Sequence, residues 1–326
     1  MEYRTLGTSD LKVSVIGLGT NNFGNPARIT DPAVSKRVID ACLDNGINLI
    51  DTSNNYGGGH SEEHIGAALK GKREKAIIAS KYNLRDLNGQ SIADRVNTSV
   101  EESLRKLQTD HLDLYQLHFS HPEASQEQIL EPLNKLVEQG KVRFIGECNY
   151  PSWRHAQADH VSAQKGWARM VSSQGYYNVL RRQAELELLP FCSENNVGFL
   201  PYFPLAGGWL TGKYKGTTEV PSGARRMVGQ LQGNERAEAV LDGLTIFAKE
   251  RGYTVLDLAF AWLLAHPAVS SVIAGAMNPE QVASNAAAAR WVMTKEERAE
   301  VDAIAAWDGT GEEVEGFGPG GRVPVR

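Results

Sequence analysis

Short apolar runs alternate with amphipathic segments along the chain, and this alternation predicts the fold. Segments between the runs carry apolar residues at helical spacing, as do Val34, Val38 and Cys42 after a helix start at Asp31 and Pro32. The runs have the near-continuous apolar character of strands buried on both faces. Eight of them cover residues 15–20, 47–51, 76–81, 112–118, 142–147, 169–174, 197–202 and 270–274. Eight strands, each followed by a helix, predict an α/β protein with a closed (β/α)8 TIM barrel.

The spacing of the strand ends predicts where extra structure is inserted. The first seven strands end 27 to 37 residues apart, whereas the last interval is 72 residues. We expect a glycine-rich loop over 205–234, an extra helix near 235–250 and the barrel helix near 255–265 to fill this interval. That loop follows the seventh strand.

The whole chain, residues 1–326, is expected to form a single domain, with additional structure at both ends of the barrel sequence. The N-terminal YRTLG and LKVSVIG segments predict a short hairpin before the first barrel strand, and a second extra helix is expected over 295–306. The tail over 308–326 has six glycines in nineteen residues and no periodicity, so it is predicted to be loop-like.

A doubly wound open sheet is the rival architecture, because strand–helix alternation alone does not separate the two. Its dinucleotide fingerprint is incomplete here. Gly17 and Gly19 have the required spacing, but Asn22 stands where the third glycine would fall. The next helix begins only near Asp31, too late to place a phosphate at its N-terminus. The closed barrel is therefore favoured.

Composition and charge narrow the class of protein. Hydrophobic residues make up 41% of the 326 residues, which supplies a core and excludes general disorder. The net charge near −5, with no basic run, argues against nucleic acid as a partner. No apolar stretch is long enough to span a membrane, and the start resembles no signal peptide. Cys42, Cys148 and Cys192 are odd in number and far apart, so we expect a reduced, cytoplasmic protein without disulfides.

Polar residues follow three consecutive strands, at the end where barrel enzymes place their chemistry. Asp51, Lys81 and His118 occupy these strand ends, and Tyr56 lies five residues after Asp51. Each alone has an ordinary structural explanation: a helix cap, a solvated lysine, a structural histidine or a loop-closing tyrosine. Their joint occurrence at adjacent strand ends favours a common function.

Together the four residue types suit proton delivery to a carbonyl oxygen. An ammonium lowers the pKa of a nearby phenol, and a carboxylate fixes that ammonium in place. A neutral imidazole donates a hydrogen bond to a carbonyl oxygen and polarises it. The set contains neither a nucleophile–base pair nor a metal-binding cluster, so no metal is expected.

At this point the sequence resembles the aldo-keto reductase superfamily over essentially its whole length. The resemblance rests on INLIDTSNNYGGGHSEEHIGAAL (47–69), Lys81, DLYQLH (113–118), GECN (146–149), SSQGYYN (172–178), PYFPLAGGWLTGKY (201–214) and IAGAMNPEQVASN (273–285), in this order. It implies an oxidoreductase that interconverts a carbonyl and an alcohol by hydride transfer with NAD(P)(H). It also implies a catalytic tetrad of Asp51, Tyr56, Lys81 and His118, with Tyr56 as the proton donor.

The resemblance further implies a cofactor site at the barrel mouth. Asn149 and Gln174 would bind the nicotinamide carboxamide, Tyr202 would stack on its ring, and residues 205–216 would lie along the pyrophosphate. The implied cofactor-binding residues are Gly19, Thr20, Asp51, Cys148, Asn149, Gln174, Tyr202, Pro204, Leu205, Gly207, Gly208, Leu210, Gly212, Lys213, Ala274, Gly275, Met277, Gln281 and Asn285.

Two departures from the family pattern bear on the cofactor. Cys148 stands where most relatives have serine, and a thiol is the weaker hydrogen-bonding group. Residues Gly275, Met277 and Gln281 stand where NADP-preferring relatives usually carry lysine or arginine. The family favours NADP(H), but NAD(H) or dual use stays open. Arg225 or Arg226 in the long loop is a candidate for the missing charge.

The substrate pocket implied by the resemblance is built from loops after the strands. Its candidate residues are Asn21, Asn22, Phe23, Tyr82, Phe119 and Trp153, together with the C-terminal tail. The paired asparagines fit a hydroxylated, sugar-like carbonyl substrate, or they bridge loop backbone; aliphatic and aromatic aldehydes stay open. Two non-enzymatic alternatives are a regulatory subunit of the potassium-channel β type and a cofactor-binding module with little turnover. The sequence leaves the oligomeric state and the reaction direction undetermined.

Overall fold

Eight parallel strands close into a barrel in the computed structural model. The structure describes residues 1–121, 123–216 and 226–307, except for the side chain of Arg226. The barrel strands are β3 (Ile16–Gly19), β4 (Leu49–Asp51), β5 (Ile77–Asn83), β6 (Leu112–Phe119), β7 (Val142–Cys148), β8 (Met170–Tyr176), β9 (Gly198–Tyr202) and β10 (Val272–Gly275). Each strand pairs with the next in sequence, and β10 pairs with β3 to close the ring. The predicted (β/α)8 barrel is confirmed.

Helices separate the strands, as the periodicity predicts. They are α1 (Pro32–Asp44), α2 (His60–Ala68), α3 (Ile92–Leu107), α4 (Gln126–Glu138), α5 (Ser152–Lys165), α6 (Leu188–Asn195), α7 (Arg226–Leu231), α8 (Glu235–Glu250), α9 (Val255–Leu264), α10 (Pro279–Ala288) and α11 (Lys295–Ile304). Local chemistry fixes their starts. The Asp31 side chain accepts from the Ala33 backbone N–H at the start of α1, and Ser125 forms a capping box with Gln128 at the start of α4.

The N-terminal hairpin covers one end of the barrel. Its strands β1 (Tyr3–Thr5) and β2 (Lys12–Ser14) pair antiparallel. Leu6 and Leu11 from the hairpin pack in one buried cluster with inward-facing strand residues such as Leu49 and Leu114. Apolar side chains thus close the amino-terminal end of the barrel, so the carboxyl-terminal end is the one that opens to a ligand.

The segment after β9 is more ordered than a long loop, and here the sequence-based expectation was incomplete. Residues 206–211 form a 3₁₀ turn, and α7 (Arg226–Leu231) lies inside the stretch predicted as loop. Buried Trp209 and Leu210 anchor the turn, while buried Val228 and Leu231 anchor α7. Residues 217–225 and the tail 308–326 lie outside the described residues. Of the described helices, none combines the length and apolarity that a membrane crossing requires.

Candidate active site

A cavity of about 600 Å³ opens at the carboxyl-terminal end of the barrel. Most of the residues named from the sequence surround it. Those lining it are Gly19, Thr20, Asn21, Asn22, Asp51, Tyr56, His118, Phe119, Cys148, Asn149, Gln174, Tyr202, Pro204, Leu205, Gly207, Gly208, Lys213, Ala274, Gly275, Met277, Gln281 and Asn285. Side chains from the ends of seven different strands therefore meet in one cavity.

Three residues predicted for the substrate pocket do not line this cavity. Tyr82 is fully buried and stacks on Tyr115, with ring centroids 4.8 Å apart. Successive strand residues point to opposite faces, so Tyr82 points away from the barrel interior because Lys81 points into it. Phe23 is buried in the core below its loop, and Trp153 on α5 is 57% exposed.

Two residues predicted for the cofactor site also lie off the cavity wall. Leu210 is fully buried in the hydrophobic core, where it anchors the 3₁₀ turn. Gly212 ends that turn with a left-handed φ of 75°. Both support the segment that carries Gly207 and Gly208, rather than facing the cavity themselves.

Lys81 lies behind the cavity wall, where it forms a buried ion pair with Asp51. Its Nζ atom donates to both Asp51 carboxylate oxygens at 2.7 Å and to the Thr52 carbonyl at 2.9 Å. Burial is the largest single influence on the pKa of Lys81 and would lower it, but Asp51, Tyr56 and Cys148 together outweigh burial and raise that pKa, with Asp51 contributing most. Lys81 is therefore a permanent ammonium held in a fixed position.

Tyr56 lies above this pair. The Lys81 Nζ atom is 5.2 Å from the centroid of its ring, and the His118 ring contacts it edge-on at 5.8 Å. Gly57 follows with a left-handed φ of 58°, and a Cβ there would lie 2.4 Å from the Phe23 carbonyl oxygen. Only glycine fits this turn, which fixes the direction of the Tyr56 side chain.

The pKa of Tyr56 differs from the sequence-based expectation. Burial raises the pKa of this phenol to about 12, and the nearby Lys81 charge counters only part of that increase. The expected lowering by Lys81 is present, but burial is the larger effect. Tyr56 is consequently a protonated phenol throughout the physiological pH range.

His118 is a neutral imidazole. Burial, together with the charges of Lys81 and Arg85, lowers its pKa to about 3. Its Nδ1 atom lies 3.2 Å from the Ser53 hydroxyl oxygen. A neutral ring with one protonated nitrogen can donate a hydrogen bond without bringing a second positive charge into the site.

Two amides and a phenol form a connected wall opposite the tetrad. The Tyr202 hydroxyl donates to Asn149 Oδ1 at 2.8 Å, and Asn149 Nδ2 donates to the His118 carbonyl at 3.3 Å. Gln174 Nε2 donates to Asp51 Oδ2 at 2.9 Å. The Cys148 thiol lies between them, 3.5 Å from Gln174 Oε1 and 3.1 Å from Asn149 Nδ2. Cys148 thus occupies a hydrogen-bonding position, and Gln174 ties this wall to the Asp51–Lys81 pair.

Comparison with known proteins agrees with this geometry. The model of the aldo/keto reductase family matches residues 15–306. The chain belongs to the aldo/keto reductase family. It is 33% identical to the aldo-keto reductase YhdN of Bacillus subtilis, over 93% of each chain. It is also 33% identical to the oxidoreductase YrpG of Bacillus subtilis, over 91% of this chain and 93% of YrpG. Identity to the versiconal hemiacetal acetate reductase of Aspergillus parasiticus is 28%, over 91% of this chain and 95% of that protein.

Membership of the aldo/keto reductase family makes the protein an oxidoreductase that interconverts carbonyls and alcohols. Members generally use NAD(P)H and act on small-molecule carbonyl substrates. The described residues of this aldo/keto reductase contain no cluster of three or more His, Cys, Asp or Glu side chains that could bind a metal ion.

Sequence reasoning missed several residues of the cavity wall. These are Arg28, Phe203, Leu256, Ile273 and Ser284. Arg28 lies in the same loop as Asn21 and Asn22, so a charged residue in that loop was a usable signal. Leu256, at the start of α9, is an apolar residue that no sequence pattern marks as part of a site. It lines the cavity because of the way the segment after β9 folds. Arg225 and the side chain of Arg226, candidates for the missing charge, lie outside the described residues.

Proposed function

We propose that the protein transfers hydride between NAD(P)(H) and a small carbonyl compound, with Tyr56 as the donor of the proton to the carbonyl oxygen. One observation carries the proposal: a protonated phenol, a neutral imidazole and a buried ammonium–carboxylate pair meet at one wall of a cavity. The ring of the phenol contacts the ring of the imidazole directly, so both groups can reach one carbonyl oxygen.

The residues of the cavity fit a nicotinamide dinucleotide. The Asn149 and Gln174 amides and the Tyr202 ring suit a flat ring with a carboxamide. Gly207 and Gly208 have left-handed φ values of 70° and 105°, and without side chains they let a ligand approach the backbone closely, while Lys213 adds a positive charge to the same wall. When bound, the cofactor would supply the hydride.

The chain's own residues supply the proton and the polarisation. A carbonyl oxygen between Tyr56 and His118 would accept a hydrogen bond from each. The Ser53 hydroxyl oxygen lies 3.2 Å from Nδ1. In the tautomer with its proton on Nε2, the neutral imidazole would donate that proton's hydrogen bond to the carbonyl oxygen. As negative charge develops on the oxygen, Tyr56 donates its proton, and the fixed charge of Lys81 stabilises the resulting phenolate.

Steady-state kinetics test the proposal directly. NADPH or NADH would be supplied with a panel of aldehydes, ketones and sugars, and cofactor oxidation followed by absorbance. We expect turnover of at least one class of carbonyl. Tight cofactor binding without turnover on any of them would overturn the proposed function and favour a binding module.

The pH dependence should differ between the two directions. Reduction needs protonated Tyr56 and neutral His118, and the pKa values of about 12 and about 3 keep both forms dominant near neutrality. We therefore expect kcat/KM for reduction to stay within about twofold between pH 6 and 8. Oxidation needs the phenolate, so its kcat/KM should rise with pH from 7 to 9. A bell-shaped profile for reduction centred below pH 7 would contradict these assignments.

The preference between NADP(H) and NAD(H) should be modest. Gly275, Met277 and Gln281 offer no positive charge at the wall after β10, and Gln281 Oε1 already accepts from the Met277 backbone N–H at 2.8 Å. A 2′-phosphate there would lack the charge-assisted hydrogen bonds that a lysine or arginine supplies. Isothermal titration is expected to give dissociation constants for NADPH and NADH within about a hundredfold of each other. A thousandfold tighter binding of NADPH would show that another residue holds the phosphate.

A further inference from the structure

A charged side chain lies over the aromatic ring that adjoins the catalytic histidine. Phe119 follows His118 at the end of β6, and its ring stacks on the imidazole, with centroids 4.5 Å apart and planes 15° from parallel. The guanidinium carbon of Arg85, from the loop between β5 and α3, lies 3.7 Å from the centroid of the Phe119 ring. A positive charge is therefore within about 8 Å of the imidazole, the sum of the two distances.

The described residues around Arg85 leave the hydrogen-bonding capacity of its guanidinium unused. Arg85 is exposed, and within residues 1–121, 123–216 and 226–307 its guanidinium forms no hydrogen bond or ion pair. The adjacent carboxylate of Asp86 instead accepts from the backbone N–H of Asn88 at 3.0 Å. The N–H groups of a planar guanidinium over an aromatic face can bind an anion in a bidentate manner.

The charge of Arg85 is close enough to the site to affect the pKa of His118. After burial and Lys81, its charge is the third contribution that lowers the pKa of His118. Asp51 is the acidic residue among the described residues that line the cavity, and its carboxylate is already neutralised by Lys81. A substrate anion close to Phe119 would thus meet an uncompensated positive charge and no competing acid of the cavity wall.

We infer that Arg85 is a substrate-binding residue that selects carbonyl compounds carrying an anionic group, either a carboxylate or a phosphate. The inference rests on the proposed function, because it takes the carbonyl oxygen to lie between Tyr56 and His118. With the oxygen there, a ring or a short chain spans the distance to the guanidinium, so the substrate class is an anionic aldehyde or ketone rather than a neutral one.

Matched substrates and variants test this inference. One arm compares 4-carboxybenzaldehyde with the methyl ester of the same acid, which keeps the shape and removes the charge. A second arm compares glyceraldehyde 3-phosphate with glyceraldehyde. Arg85→Gln removes the charge, Arg85→Lys keeps it without the planar fork, and Arg37→Gln on the exposed face of α1 is the control for loss of a surface cation.

We expect Arg85→Gln to lower the charged-to-neutral ratio of kcat/KM by about tenfold or more in at least one arm, mainly through KM. Arg85→Lys should give an intermediate ratio, and Arg37→Gln the wild-type ratio. The arm that responds identifies the anion. Thermal melting shows whether each variant is folded.

Two outcomes overturn the inference and are distinguishable from each other. If neutral aldehydes are reduced but the ratio is the same in wild type, Arg85→Gln and Arg37→Gln, Arg85 does not bind substrate and the proposed function stands. If no aldehyde, ketone or sugar is reduced with either cofactor by the folded wild-type protein, the proposed function fails and the inference fails with it.

Discussion

Replacing Tyr56 with phenylalanine is expected to lower kcat for carbonyl reduction by about 10²- to 10⁴-fold, the range typical of a lost general acid. The substitution removes only the hydroxyl group, so the ring keeps its edge-on contact with His118 and its place before the Gly57 turn. Cofactor binding should be little affected. Single-turnover kinetics and fluorescence titration of the cofactor measure the two effects separately.

Tyr82→Phe is the matched control for this prediction. It also removes one buried phenol hydroxyl, but from a side chain stacked on Tyr115 outside the cavity, where Oη has no partner among the described residues. We expect it to turn over at close to the wild-type rate. A Tyr56→Phe variant that is folded and retains more than a tenth of wild-type kcat would eliminate Tyr56 as the proton donor.

Replacing Lys81 with methionine should affect stability as well as turnover. It would leave the Asp51 carboxylate, which is only 3% exposed, without its counter-ion and with the Gln174 amide as its remaining side-chain partner. Breaking one side of a buried ion pair costs about 3–5 kcal/mol of unfolding free energy. Urea denaturation followed by circular dichroism measures this loss.

The double variant Asp51→Asn, Lys81→Met separates the two roles of Lys81. Removing both charges should recover a large part of the lost stability, because no unpaired carboxylate stays buried. Turnover should not recover, since the phenolate of Tyr56 would still lack the ammonium. Equal stability of wild type and Lys81→Met would mean that Asp51 is not held as a buried carboxylate.

The strand positions could be predicted from the sequence because barrel strands are buried on both faces and appear as continuous apolar runs. The run at 76–81 corresponds to β5 (Ile77–Asn83), and Asp51, Lys81 and His118 lie at or near strand ends as expected, whereas Tyr56 lies in the turn after β4. Tyr82 was misplaced because the family resemblance assigns the pocket to residues around the strand ends, whereas alternation along the strand turns Tyr82 and its neighbour Lys81 to opposite faces. The apolar pattern of the sequence thus locates the strands, and alternation along each strand identifies the residues that point into the barrel.

Other parts of the site depend on contacts that a local pattern does not carry. The pKa of Tyr56 was expected to fall because Lys81 is close, yet burial dominates, and burial is a property of the closed barrel. Arg85 stacks on Phe119 although 34 positions separate them, and no motif marks that pair. The helix α7 was missed because its six residues are too short for a clear period.

Closure of the barrel between β3 and β10 has a consequence for how the protein folds. Ile16 pairs with Val272, and Arg4 Nη1 donates to the Leu264 and Val269 carbonyls. The first and last barrel units, which are far apart in sequence, are therefore in contact. Until β10 has been synthesised, the emerging barrel exposes two unpaired strand edges. Such high contact order slows folding and leaves the partly made chain open to aggregation. Completion of the active site and protection of the nascent polypeptide therefore occur in the same late step, when the ring closes.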